Sequence, residues 1–160
     1  MAACPSSIWR NPIHFLAFGC GSGASPVAPG TFGTAAAIIP YLWFQHWSVS
    51  AYIIMLLVTF VVGVYLCDKT SRDIGVHDHG GIVWDEFVGF WITMLFAPQG
   101  WLWIVIGFIW FRIFDIVKPW PIKWADKKVH GGFGIMLDDV IAGVFALGAV
   151  QLSFYLYNVM

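Results

Sequence analysis

Charge is what this sequence has least of. Asp, Glu, Lys and Arg make up 11% of its 160 residues, and 59% are hydrophobic. An ordinary soluble domain is about 25% charged and about 45–50% apolar. The composition therefore points to a small membrane protein, or to a soluble one with an unusually apolar surface, and excludes a disordered chain, which needs low hydrophobicity and high charge. The net charge of −1 leaves no electrostatic footprint for nucleic acid. Glutamate is almost missing, with Glu86 alone against eight Asp. The three cysteines, Cys4, Cys20 and Cys67, are odd in number and widely spaced, so they are expected to be free buried thiols, not a disulfide framework or zinc site. The 17 Gly and 8 Pro follow no period, which excludes a collagen-like chain. Met1–Gly30 lacks the basic start, compact apolar run and small-residue cleavage site of a signal peptide. Length predicts one domain over residues 1–160.

The shortage is regional. No Asp, Glu, Lys or Arg occurs from Asn11 to Cys67, from Phe87 to Phe111, or from Val140 to Met160. Apart from Arg10, every charge falls in two windows, Asp68–Glu86 and Arg112–Asp139. Ala51–Cys67 and Val140–Met160 approach the ~20 apolar residues of a spanning helix. Phe87–Phe111, broken at Ala97–Gly100, reads as two short helices in a hairpin, and Thr34–Trp47 as another short piece. Trp43, Trp47, Trp84, Trp101, Trp103, Trp120 and Trp124 lie near segment ends, as in an interfacial belt. The competing reading is a soluble helical domain with a large core. Two hairpins would bring both charged windows and the Gly-rich segment Gly19–Gly33 to one side, and the Lys and Arg gathered there mark it as cytoplasmic.

Four polar motifs stand at that side. Gly19–Gly33 is a Gly-rich loop before a helix expected near Thr34, suited to an anion or simply to tight packing. Gly75–Gly89 carries His77, His79 and the pair Asp85-Glu86, in the first turn of a helix expected near Ile82 at the membrane surface. Adjacent helical residues point about 100° apart, so the pair is expected to serve two metals, or as ligand and supporting group. Hard oxygen ligands suit Mg²⁺; the plainer alternative is complementation of a helix dipole. Phe111–Ile122 places Arg112, Asp115 and Lys118 at spacings that share one helical stripe, as a phosphate clamp beside a metal ligand or as an ion-pair ladder. Val129–Gly143 runs through His130 and a Gly-rich turn to Asp138-Asp139, a costly pair at a membrane edge without a cation.

Other phosphate chemistries are missing. No Gly-Lys-Ser/Thr, Asp-x-Asp, Pro-Ser-Gly-His or Asp-Gly occurs. Cys4–Arg10 fits the spacing of a thiol phosphatase but has no glycines to shape the loop.

Together, GSGASPVAPGTFG (Gly21–Gly33), GVHDHGGIVWDEFVGFWIT (Gly75–Thr93), FRIFDIVKPWPI (Phe111–Ile122) and VHGGFGIMLDDVIAG (Val129–Gly143) resemble the phosphatidylglycerophosphatase A family, in its motif order and over most of the chain. The resemblance implies an all-α fold: a small integral-membrane helical bundle with short hairpin helices and a polar, Gly-rich end on the cytoplasmic side of the inner membrane. It implies Mg²⁺-dependent hydrolysis of phosphatidylglycerophosphate to phosphatidylglycerol and inorganic phosphate. On that basis Asp85, Glu86, Asp138, Asp139 and Asp115 are expected to hold Mg²⁺, which polarises a water. Arg112, Lys118 and the Gly30-Thr31 backbone are expected to bind phosphate. His77, His79 or His130 is expected to protonate the leaving glycerol oxygen. The alternatives are a membrane cation-binding or transport protein, and a phosphatase for another lipid such as phosphatidic acid.

Overall fold

The structure is a computed structural model and describes residues 5–76 and 79–159. It is helical, with no strand among the described residues. Seven α-helices follow one another: α1 Pro12–Ala17, α2 Pro29–Phe44, α3 Val49–Ile74, α4 Trp84–Thr93, α5 Trp101–Val117, α6 Ile122–Lys128 and α7 Gly131–Val159.

Local chemistry sets the boundaries. Asn11 caps α1 by accepting from the Ile13 N–H at 3.0 Å, with Pro12 at the first helical position. Ser48 caps α3 through the Ala51 N–H, and Gly75 ends it in the left-handed region at φ +74°. The helix thus runs past the apolar segment. The pairs Asp68–Arg72, at 2.9 Å, and Lys69–Asp73 lie four residues apart along this extension. α2 starts at Pro29, earlier than Thr34, because Ala28 turns the chain at φ +46° and Pro29 is preset for a helix. α7 starts at Gly131, so the Gly-rich turn expected before Asp138 is the helix's own first turn. α5 stops at Val117, and Lys118 takes a left-handed conformation. Lys118 therefore leaves the stripe that Arg112 and Asp115 share.

α4 is the hub. α3 runs antiparallel to it, with Trp84 Nε1 donating to the Thr59 carbonyl at 3.1 Å and Tyr52 Oη to the Trp91 carbonyl at 2.8 Å. α5 is also antiparallel, with Phe111 against Gly89 and Met94 against Gly107. α2 runs parallel to α4, with Gly33 on Val83 and the Ala37 carbonyl accepting from Trp91 Nε1. α7 is parallel and very close. A Cβ on Gly143 would lie 2.5 Å from the Gly89 carbonyl oxygen, the small-residue contact by which membrane helices approach.

α3 and α7 are long and apolar enough to cross a membrane. Much of α3 faces outward with Ile53, Ile54, Leu57, Val58, Val61 and Val62 exposed, a surface that suits lipid and not water. Trp43, Trp47, Trp101, Trp120 and Trp124 are exposed, as a belt requires, but Trp103 is buried and Trp84 packs against Phe87. Cys67 is buried, whereas Cys20 is exposed, contrary to the expectation for it; Cys4 lies outside the described residues.

Candidate active site

The antiparallel and parallel pairings bring the N-termini of α2, α4 and α7 and the C-terminal halves of α3 and α5 to one end of the bundle. Asp85 and Glu86 come from the first turn of α4, Asp139 from the third turn of α7. Their carboxylate oxygens lie within 4.8 Å of one another. Opposite ligands of a Mg²⁺ ion with bonds of about 2.1 Å stand roughly 4.2 Å apart. The adjacent pair thus converges on one place instead of diverging. Asp115 adjoins them, close enough for its charge to act on both Glu86 and Asp139.

The surroundings make this cluster electrostatically incomplete. Asp85, Glu86, Asp115, Asp138 and Asp139 face two cations, Arg112 and Lys118. Glu86 thus stands among Asp85, Asp139 and Asp115 with Arg112 Nη1 no nearer than 3.9 Å. Glu86 Oε2 and Asp139 Oδ2 are buried and have no hydrogen-bond partner among the described residues. Acceptor-only oxygens of this kind fit a hard divalent cation.

Arg112 stands at the edge of the cluster. Its Nη1 reaches Asp115 Oδ2 at 2.6 Å, Thr34 Oγ1 at 3.4 Å and Glu86 Oε1 at 3.9 Å. Its Nε is buried and has no hydrogen-bond partner among the described residues. Gly30 closes the other side. A Cβ there would lie 2.2 Å from Glu86 Oε1 and 3.2 Å from both Arg112 Nη atoms. The Thr31 N–H donates to the Ala28 carbonyl at 2.9 Å, so of the expected Gly30-Thr31 backbone the Thr31 donor is committed within the turn.

Other expected residues lie differently. Lys118 Nζ bridges Asp138 Oδ2 at 2.6 Å and Asp126 Oδ1 at 2.7 Å. Burial works against its charge, but these hydrogen bonds and charges outweigh it and hold the ammonium above the usual lysine range. Asp138 thus turns toward α6 and Lys118. His79 Nδ1 accepts from the Gly81 N–H at 3.1 Å and its ring packs on Phe18. His130 is exposed just before α7. His77 lies outside the described residues. Two polar residues escaped the sequence reading. Thr34, fully buried, supports Arg112 and donates to the Gly30 carbonyl at 2.9 Å. His14 links Ser7 and Asp73, each at 3.0 Å, and ties the N-terminal segment to α3.

The cluster is also deep. Trp84, next to Asp85, meets Thr59, nine residues before Asp68, the first charge on α3. At 1.5 Å per residue that is roughly 13 Å. The Gly132 N–H donates to Asp68 Oδ1 at 3.3 Å, and Asp139 lies seven residues further along α7, roughly 10 Å. Two independent helices give the same offset. α4, ten residues long, begins well below the end of α3. At the opposite end of the bundle, the hollow lined by Tyr41, Gln45, Trp47, Tyr52 and 94–97 carries no carboxylate, lysine or histidine.

The family model for Phosphatidylglycerophosphatase A matches residues 15–154. A relative named Phosphatidylglycerophosphatase A from Escherichia coli (strain K12) is 53% identical over 86% of this chain and 81% of its own length. One of the same name from Haemophilus influenzae is 49% identical over 86% of this chain and 85% of its own. A third relative, from Bacteroides thetaiotaomicron, is 40% identical over 80% of this chain and 84% of its own. Its name, which marks the assignment as provisional, is that of a phosphatidylinositol-3-phosphatase. No solved structure matches the chain. The matched span contains every carboxylate of the cluster together with Gly30, Thr34 and Arg112, and the chain belongs to the phosphatidylglycerophosphatase A family.

Proposed function

We propose that the chain hydrolyses the phosphate monoester of phosphatidylglycerophosphate, giving phosphatidylglycerol and inorganic phosphate, with Mg²⁺ held by Asp85, Glu86 and Asp139 and supported by Asp115. The observation that carries this reading is the convergence of two buried carboxylates, Asp85 and Asp139, and the half-buried Glu86 beside Arg112 and the side-chain-free edge of Gly30. Mg²⁺ bound there supplies charge to the phosphate oxygens and polarises the phosphoryl group. Arg112 binds phosphate, its orientation held by Asp115 and Thr34 on the Nη1 edge. Gly30 lets Glu86 Oε1 and the Arg112 guanidinium come against the start of α2, where any Cβ would collide with the carboxylate. Lys118 acts by keeping Asp138 turned away from the cluster. His130 or His77 gives the proton to the leaving glycerol oxygen, since His79 faces Phe18 and Gly81.

The membrane is the cytoplasmic membrane, crossed by α3 and α7, with the cluster opening to the cytoplasm. Lys69, Arg72, Arg112, Lys118, Lys123, Lys127 and Lys128 all belong to this end, which is the bias that positive charge gives cytoplasmic ends. A transport pathway needs carboxylates toward both faces of the membrane; here they gather at one end.

The test is phosphate release from purified protein in detergent micelles, with Mg²⁺ or EDTA. Three substrates are offered: phosphatidylglycerophosphate, phosphatidic acid and phosphatidylinositol-3-phosphate. Release from the first, abolished by EDTA, is expected. Asp85→Asn and Asp139→Asn are each expected to lower the rate ~10²-fold or more while the protein still folds. Faster turnover of either of the other lipids moves the substrate assignment, and metal-independent release ends the metal assignment.

A further inference from the structure

The segment between α5 and α7 holds the seven-residue helix α6, whose two faces differ in kind. Ile122 and Ala125 are buried, and Asp126 turns inward to Lys118. Lys123, Trp124, Lys127 and Lys128 are all exposed. At 100° per residue these four span an arc of roughly 140° on one side of the helix. Trp120, just before α6, is 81% exposed, more than any other large hydrophobic side chain among the described residues. Elsewhere at this end Arg10 alone is exposed without an ion pair, whereas Arg72 pairs with Asp68, Lys69 with Asp73, Arg112 with Asp115 and Lys118 with Asp126 and Asp138 among the described residues. No carboxylate among the described residues pairs with Lys123, Lys127 or Lys128. In a chain of net charge −1, α6 is a local surplus of three positive charges beside two exposed indoles.

We propose that the outward face of α6 is a docking shelf for the headgroups of anionic phospholipids. Exposed Trp with Lys on one face is the composition of an element that lies in the bilayer interface, and unpaired lysines there attract anionic lipid. The place of α6 strengthens the assignment. Lys118 ties it, through Asp126, to Asp138, the neighbour of Asp139. The shelf therefore runs from the Lys118–Asp138 link, beside the carboxylates, to the start of α7, where the Gly132 N–H meets Asp68 of α3. Headgroups held on α6 gather on the side of the bundle that carries the cluster. This inference rests on the membrane placement proposed above but not on the phosphatase reaction.

The test uses the full chain in neutral detergent with EDTA, and a variant carrying Lys123→Gln, Lys127→Gln and Lys128→Gln. Thermal stability is followed while short-chain phosphatidylglycerol, short-chain phosphatidylcholine or inorganic phosphate is added. Phosphatidylglycerol is expected to raise the melting temperature of the native chain, and the other two are not. The Gln variant is expected to lose that response, and Arg at the same three positions to keep it. An equal response to phosphatidylcholine, a response to inorganic phosphate alone, no response at all, or an undiminished response in the Gln variant overturns the proposal. In a second arm, phosphate release is measured with substrate dilute in uncharged micelles. The Gln variant is expected to show a KM in surface mole fraction ~10-fold higher, with kcat unchanged. A fall in kcat at unchanged KM overturns the shelf. Absence of turnover by the native chain counts against the proposed reaction and leaves the melting arm to decide.

Discussion

A single missing carbon at position 30 keeps the cluster open. Any Cβ there meets Glu86 Oε1 at 2.2 Å, so the carboxylate must move or α2 must back away from α4. Displacements of about 1 Å in a catalytic site can cost ~10²-fold in rate, and Gly30→Ala is expected to lower phosphate release by that order. Circular dichroism should stay native, because alanine suits the first turn of a helix better than glycine. Lys118 makes the opposite kind of contribution. Replacing it with Met takes the ammonium from buried Asp138 and from Asp126 together. Removing one member of a buried pair costs about 3–5 kcal/mol, and half-burial of the lysine places Lys118→Met near the lower figure. Chemical unfolding in detergent measures this, and adding Asp138→Asn should restore part of the loss. The acids were legible in the sequence as rare charges in adjacent pairs. Thr34 was not: it sits in an apolar run, and its role depends on a side chain 78 positions away.

Between elements, closeness is set by glycine. Gly89 and Gly143 let α4 and α7 touch backbone to backbone, one turn from Asp139. Gly143→Ala drives a methyl into the Gly89 carbonyl, and overpacking of this kind costs about 1–3 kcal/mol. The variant is expected to melt lower in detergent and to lose activity with it. Gly148, five residues on, has nothing within 4 Å of a Cβ, so Gly148→Ala should be neutral or stabilise by about 0.5–1 kcal/mol. Melting curves of the two variants separate crowding from helix propensity. Helix identities followed from the charge-free stretches, yet their ends did not. α3 outran its apolar run because i,i+4 ion pairs extend it, and α7 absorbed a Gly-rich segment that alone reads as a turn. The first is a local side-chain effect along one helix face; in the second, packing against α3 and α4 outweighed the low helix propensity of glycine.

For the whole molecule the open matter is which end faces the cytoplasm. Cys20 is exposed at the carboxylate end and Cys67 is buried, while Ser48 and Gln99 are exposed at the other end. In a Cys4→Ser background, a membrane-impermeant maleimide is expected to label Cys20 only after cells are opened. With Cys20 also changed to Ser, Ser48→Cys or Gln99→Cys is expected to label in intact cells. The reverse pattern turns the molecule over. That the polar motifs meet at one end could be derived from hairpin parity alone; how deep they meet could not. Depth depends on the length of α4 and on where α3 pairs with it, and neither leaves a trace in the order of the residues.

That depth carries a consequence for the host membrane. The ten residues of α4 measure roughly 15 Å, about half of a 30 Å hydrocarbon core. The distance from Asp85 to the far side of the bundle is therefore built into the protein, whereas its distance to the near headgroups belongs to the lipid. A bilayer of shorter acyl chains brings its phosphates toward the carboxylates, and a thicker one carries them away. Turnover is therefore expected to rise in bilayers of shorter acyl chains and to fall in thicker ones, which reconstitution into liposomes of graded chain length measures.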